Sequence, residues 1–114
     1  MYALSEYTMA TGDARGVEYA VWVFDQIKKH AADTHYGGYW EMFERNWDLC
    51  GPGGQGGDRK TLDTHMHLME AFTTLYELTR NENHRKKLID IIIINFFKYK
   101  IKIYFFFKNI TISL

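Results

Sequence analysis

Cysteine, proline and net charge are all scarce in this sequence. The 114 residues contain one cysteine and one proline, and 14 basic residues balance 14 acidic ones. A single cysteine, Cys50, excludes an internal disulfide and is typical of a reducing compartment, so we expect a cytoplasmic protein. Zero net charge gives no electrostatic basis for binding nucleic acid or an anionic membrane, and we expect neither as a partner.

Apolar periodicity and capping residues divide the chain into four predicted helices. They cover residues 2–11, 14–32 and 61–79, and the fourth begins near Glu82. Gly12 is suited to end the first helix, and Asp13 and Asn81 are suited to cap the second and fourth. The second helix has an ordinary amphipathic pattern, with one apolar stripe and one charged face. The sequence therefore predicts an all-α fold.

A weak internal repeat relates the two halves of this helical pattern. Residues 3–21 align with residues 71–89 at an offset of 68 residues. Each copy has a largely apolar helix, a two-residue turn and a more charged helix. Repeated αα-hairpins indicate a solenoid or a helical barrel, in which inner helices line a lumen and outer helices face water.

The third helix has an unusual distribution of polar side chains. Its polar residues fall within about 80° of one another on a helical wheel, and the rest of its surface is almost wholly apolar. The members of this polar stripe are Asp63, His67, Glu70, Thr74 and Glu77. Such a pattern predicts a buried helix with one strip bordering a water-filled cavity. Polar groups in such a place need hydrogen-bonding or ionic partners, or they serve a function.

The two histidines of this helix point in different directions. A spacing of two residues rotates the side chain by about 200°, so His65 lies on the apolar arc while His67 lies on the polar stripe. We expect His65 to be a core histidine bonded to a backbone carbonyl. His67, one turn from Asp63 and Glu70, is a candidate acid–base group, although the pattern alone also allows a structural role. Because the rings diverge, we expect no metal site here.

A long irregular segment, residues 33–60, separates the two hairpins. It contains seven of the nine glycines and the only proline, and its first half is rich in aromatic residues. Segments of this length in compact domains are usually functional or disordered. Trp40 and Trp47 could offer flat rings to the apolar face of a sugar, or they could simply anchor the loop.

Four segments of the chain resemble the N-acylglucosamine 2-epimerase superfamily, most closely its cellobiose and mannose 2-epimerase branch. The matching segments are Tyr2–Tyr7, Ala10–Asp13, Tyr36–Glu41 and Asp58–Thr73. The resemblance implies a fragment of an (α/α)6 barrel. It also implies epimerisation at C2 of an aldose, or aldose–ketose isomerisation, through an enediolate with histidines as acid and base. It implies no metal and no organic cofactor.

The resemblance assigns roles to individual residues of this chain. His67 matches the second histidine of the family's His-x-His motif and is the implied catalytic acid–base residue. Glu70 matches a carboxylate that orients the site. Trp40 is a candidate for sugar binding from the aromatic pattern of its segment, not from this match. Asp63 stands where many cellobiose 2-epimerases have a sugar-binding asparagine, which favours a monosaccharide over a disaccharide. The implied partner is a small sugar such as mannose, glucose or a cellobiose-like molecule.

The resemblance stops before the end of the chain. We predict a partial (α/α)6-barrel domain over residues 1–95, inactive on its own, and a low-complexity, non-native tail over residues 96–114, which lacks Ala, Gly, Glu and Arg. An interaction strand and a membrane anchor are rival interpretations of the tail, but the uncharged stretch 91–97 is too short to cross a bilayer. The alternative function is a non-catalytic helical-hairpin interaction module.

Overall fold

The computed structural model describes residues 1–99, and four α-helices account for most of them. Their bounds are α1 Tyr2–Thr11, α2 Ala14–His30, α3 Leu62–Thr79 and α4 Glu82–Tyr99, with a short 3-10 helix at Gly53–Gln55. The predicted all-α architecture is confirmed. The second helix ends two residues earlier than predicted, because Ala31 and Ala32 instead pair with residues of the irregular segment.

The two predicted hairpins have equivalent turns. Gly12 follows α1 in the left-handed conformation, and Arg80, the residue 68 positions later, does the same after α3. The next residue then caps the following helix. The Asp13 carboxylate accepts the N–H of Arg15, and the Asn81 side chain accepts the N–H of Asn83. The repeat predicted from sequence is therefore present in the backbone.

Helix α3 is the most buried element, as predicted. It packs on α4, on α1 and on α2, while α1 and α2 pack on each other as a hairpin. The buried residues of α2 form one narrow stripe on the helix, because they are spaced four residues apart. They are Gly16, Ala20 and Phe24. The Phe24 ring meets the Phe72 ring of α3 edge to face, with centroids 5.3 Å apart.

Between the hairpins, the described regular structure consists of the short 3-10 helix and isolated β-bridges. Ala32 pairs with Tyr39, and Phe43 pairs with Leu49. The Trp47 ring stacks on His30 with centroids 4.9 Å apart, which favours an anchoring role for this tryptophan. Of the helices formed by residues 1–99, none is both long and apolar enough to cross a membrane.

Helix α4 continues through the boundary predicted between residues 95 and 96. The described part of the helix reaches Tyr99, whose hydroxyl donates to the backbone oxygen of Lys60 at 2.6 Å. Asn95 is fully buried, and its side-chain amide donates to the backbone oxygen of His65 at 3.2 Å. The rest of the predicted tail lies outside the described residues, and its non-native origin stays a prediction.

Candidate functional site

Three polar side chains come together on the outer surface of α3. Asp63, His67 and Glu70 follow one another at four- and three-residue spacings, which places them on one helical face. Their side chains are 90%, 71% and 38% exposed, respectively. The His67 ring lies between the two carboxylates, with Nδ1 3.3 Å from Glu70 Oε2 and Nε2 3.7 Å from Asp63 Oδ1.

The remaining members of the predicted stripe are less open. Thr74 is buried and its hydroxyl donates to the backbone oxygen of Glu70 at 3.1 Å, while Glu77 is half-buried. Asp63 and His67 are exposed, and neither lines two grooves of the described surface that measure about 290 and 250 Å³. The expectation that this strip borders a cavity stays a prediction.

His65 points into the core and is fully buried, as predicted from the angle between the two histidines. Its Nδ1–H donates to the backbone oxygen of Thr61 at 2.7 Å, and its Nε2 accepts the N–H of Tyr39 at 3.0 Å. These two bonds require the neutral ring with its proton on Nδ1. Burial lowers the pKa of His65 below its ordinary value of 6.5, in agreement with that state.

Gly38 lies against the same imidazole. Its φ is +81°, and a Cβ at this position would lie 2.8 Å from His65 Nε2. A side chain is thus excluded both by the backbone conformation and by the close approach of the ring. The irregular segment therefore packs on α3 where Gly38 and the Tyr39 N–H meet the buried His65 ring.

Glu41 accepts hydrogen bonds from residues at the N-terminus of α3. Its Oε2 accepts the Thr61 hydroxyl at 2.7 Å, the Thr64 hydroxyl at 2.6 Å and the Thr61 N–H at 3.2 Å. Burial opposes ionisation of Glu41, but the hydrogen bonds from Thr64 and Thr61 outweigh it and lower the pKa below 4.5. A carboxylate at a helix N-terminus is also favoured by the helix dipole.

Trp40 lies in a different group of contacts from His67. Its ring is half-buried, and the ammonium of Lys60 sits 4.1 Å from the ring centroid. Lys60 forms an ion pair with Asp33, and both side chains are only 9% exposed. Among the interactions of residues 1–99, Trp40 pairs with Lys60, whereas His67 pairs with Asp63 and Glu70.

Sequence reasoning did not identify Asp33, Lys60 or Glu41. Their partners lie 20 to 27 residues away along the chain, across a segment without helical periodicity. The only signal available was their position: Asp33 and Lys60 are the first and last residues of the irregular segment, and Glu41 lies within its aromatic-rich first half.

Asp63, His67 and Glu70 together offer groups that can transfer protons. An imidazole can act as a general acid or base, and the His67 side chain is 71% exposed, so a molecule can approach it. Within the region that the structure describes, no group of three or more His, Cys, Asp or Glu side chains could hold a metal ion.

Relatives with known activity match most of this chain. It is 34% identical over 96 residues to the cellobiose 2-epimerase of Bacteroides fragilis, covering 81% of this chain and 24% of that protein. It is 37% identical over 93 residues to the cellobiose 2-epimerase of Ruminococcus albus, covering 77% and 23%, respectively. The chain is homologous to a segment of these epimerases. No protein-family model matches it.

Solved structures of cellobiose 2-epimerases share its fold. The enzyme from Spirochaeta thermophila superposes with a TM-score of 0.74 at 34% identity, covering 84% of this chain and 25% of that one. The enzyme from Bacillus thermoamylovorans gives a TM-score of 0.77 at 27% identity, covering 85% and 26%. The resemblance to this epimerase superfamily and the assignment of αα-hairpins from an (α/α)6 barrel are confirmed. The chain spans about a quarter of the length of its cellobiose 2-epimerase relatives.

Proposed function

We propose that this chain is a segment of a carbohydrate 2-epimerase, an isomerase, in which His67 transfers a proton at C2 of the sugar. The observation that carries the proposal is the exposed His67 imidazole between Asp63 and Glu70, in a chain homologous to cellobiose 2-epimerases. Removal of the C2 proton next to the C1 carbonyl gives an enediolate. Return of a proton to the opposite face inverts C2, so a second group is needed across the sugar ring.

The carboxylates next to His67 have different roles in this proposal. Glu70 is the less exposed of the two and lies 3.3 Å from Nδ1, so it orients the ring. Asp63 is almost fully exposed and 3.7 Å from Nε2, so it is free to bind a sugar hydroxyl. Trp40 supplies an aromatic surface for the apolar face of the sugar. No metal or organic cofactor takes part.

The proposed substrate is a small sugar. The relatives are named for cellobiose, so cellobiose, mannose and glucose are the sugars to test. Asp63 in place of the asparagine of many cellobiose 2-epimerases favours a monosaccharide. The single cysteine supports a cytoplasmic location for the protein.

A segment-replacement experiment tests this function. Residues 1–95 replace the matching quarter of the Ruminococcus albus cellobiose 2-epimerase, and exchange of the C2 proton with deuterated solvent is followed by NMR. We expect exchange in the hybrid enzyme and a loss of about 10²–10⁴-fold in the His67→Asn variant, the usual contribution of a general acid–base group. His65→Asn should chiefly lower stability. His35→Asn, which changes an exposed histidine outside the site, is the matched control.

The outcomes separate the competing functions. Exchange at the unmodified rate in His67→Asn would contradict the acid–base assignment. A well-folded hybrid without exchange would favour the non-catalytic interaction module. We expect the 114-residue chain alone to give no exchange, because it matches only a quarter of its relatives.

A further inference from the structure

Lys60 is a lysine with a largely covered side chain, placed immediately before the N-cap of α3. Its ammonium pairs with Asp33, and both side chains are only 9% exposed. The same Nζ donates to the backbone oxygen of Gly37 at 2.8 Å. Because a charge removed from water needs partners, these contacts fix the position of the ammonium.

The anion that pairs with Lys60 is itself held in place. Asp33 Oδ1 accepts the N–H of His35 at 2.9 Å and the N–H of Tyr36 at 3.1 Å. The hydrogen bond from Lys60 and these two backbone bonds lower the pKa of Asp33 to about 2. The ion pair is therefore present throughout the neutral and mildly acidic range.

The third contact of the ammonium is the Trp40 ring, 4.1 Å from Nζ to the centroid. This distance lies within the range of cation–π interactions. The ammonium covers one face of the indole, so an apolar sugar face can stack only on the other. The ion pair with Asp33 thus selects which face of the ring is available.

The backbone around Trp40 is held independently of Lys60. The N–H of Trp40 donates to the backbone oxygen of Ala31 at 2.8 Å. On either side, Tyr39 is bonded to His65, and Glu41 is bonded to Thr61. Loss of the lysine side chain should therefore release the indole ring and leave the main chain in place.

We propose that Lys60 is a positioning residue, which fixes the Trp40 ring for contact with the sugar. This inference rests on the proposed function, because the sugar-binding role of Trp40 belongs to it. The orientation of the ring, however, can be measured without any sugar. Lys28 provides a matched control, since it pairs with Asp25 and lies over the Phe24 ring at 5.6 Å but is 44% exposed.

Fluorine NMR of the complete chain measures the ring directly. Trp22→Phe and Trp47→Phe leave Trp40 as the one tryptophan, which is labelled with 5-fluorotryptophan. We expect Lys60→Met to shift and broaden the Trp40 resonance, while Lys28→Met leaves it unchanged. Lys60→Arg should restore a single sharp resonance, because a guanidinium pairs with a carboxylate and stacks on an aromatic ring.

Methyl resonances of the buried Leu75 and Ile91 show whether each variant is folded. An unmoved Trp40 resonance in folded Lys60→Met would overturn the proposal. If Lys60→Met loses the methyl signals, Asp33→Asn decides, because it keeps the lysine and removes its anchoring charge. A shifted Trp40 resonance in that variant supports the positioning role, and an unshifted one overturns it.

The hybrid enzyme then tests whether this positioning serves the sugar. Stacking acts on substrate binding, so we expect Lys60→Met to raise KM by about three- to thirtyfold with little change in kcat. An unchanged KM alongside a moved Trp40 resonance would contradict the sugar-binding role of Trp40. That result would not bear on the acid–base role of His67, which is tested separately by proton exchange in the His67→Asn variant.

Discussion

Replacement of Gly38 by alanine should damage the contact between the irregular segment and α3. The residue has φ +81°, and the added Cβ would lie 2.8 Å from Nε2 of the buried His65 ring. The ring cannot simply turn aside, because its Nδ1 is bonded to the Thr61 backbone and its Nε2 accepts the Tyr39 N–H. The substitution thus forces either the ring or the loop to move.

The expected cost has two parts. A left-handed backbone costs a residue with a Cβ about 1–2 kcal/mol relative to glycine. Displacement of the ring leaves the Tyr39 amide without its acceptor, and an unsatisfied buried donor costs about 1–3 kcal/mol. Together they should lower the free energy of unfolding by about 2–5 kcal/mol.

Gly12→Ala separates the two parts. Gly12 has φ +72° and nothing lies within 4 Å of the position its Cβ would take, so only the backbone cost applies. Urea unfolding of the complete chain, followed by circular dichroism, gives both free energies. We expect Gly38→Ala to be the more destabilising by about 1–3 kcal/mol, with an unchanged dependence on urea.

Equal losses in the two variants would refute the reasoning, because they would show that the His65 ring moves aside without cost. A second check uses a His65→Ala background, in which there is no ring to meet the new methyl group. There, Gly38→Ala should cost no more than Gly12→Ala. The difference between the two backgrounds measures the coupling directly.

Three further predictions concern stability. Burial lowers the pKa of His65 and of His84, so these residues take up protons when the chain unfolds. The free energy of unfolding should therefore be highest above about pH 6.5 and should fall as the pH decreases. Urea midpoints that stay constant between about pH 7 and 5 would contradict this. Phe24→Ala should cost about 3–5 kcal/mol in urea unfolding, whereas Tyr19→Ala, at a 62% exposed position, should change stability by less than about 0.5 kcal/mol. Asp13→Ala should cost about 1 kcal/mol in the same assay through loss of the α2 cap, and no loss would refute that cap.

The helices and their turns could be predicted because their causes are local. Apolar residues repeat every three or four positions, and Gly12, Asp13 and Asn81 end or cap helices through neighbours a few residues away. The opposite directions of His65 and His67 follow from helix geometry alone. Thr74 shows the limit of this reasoning, since a helical wheel gives the direction of a side chain and not the element that covers it.

The contacts of the irregular segment could not be predicted in this way. Lys60 pairs with Asp33, 27 residues away in the sequence, and Glu41 accepts a hydrogen bond from Thr64, 23 residues away. No periodic pattern links such pairs, because the intervening backbone takes left-handed conformations at several glycines. The family resemblance identified the aromatic motif of this segment, but not the ion pair or the hydrogen bonds that hold it.

The attachment of this segment at both ends has a practical consequence for engineering. Asp33, Tyr39 and Glu41 connect its first part to Lys60 and α3, whereas nothing lies within 4 Å of the position that a Cβ would take at Gly54, in the short 3-10 helix of its second half. Closing a longer loop between fixed ends is inexpensive, about 0.6 kcal/mol for each doubling of its length. A peptide tag or a fluorescent label inserted after Gly54 should therefore report on the chain without disturbing α3.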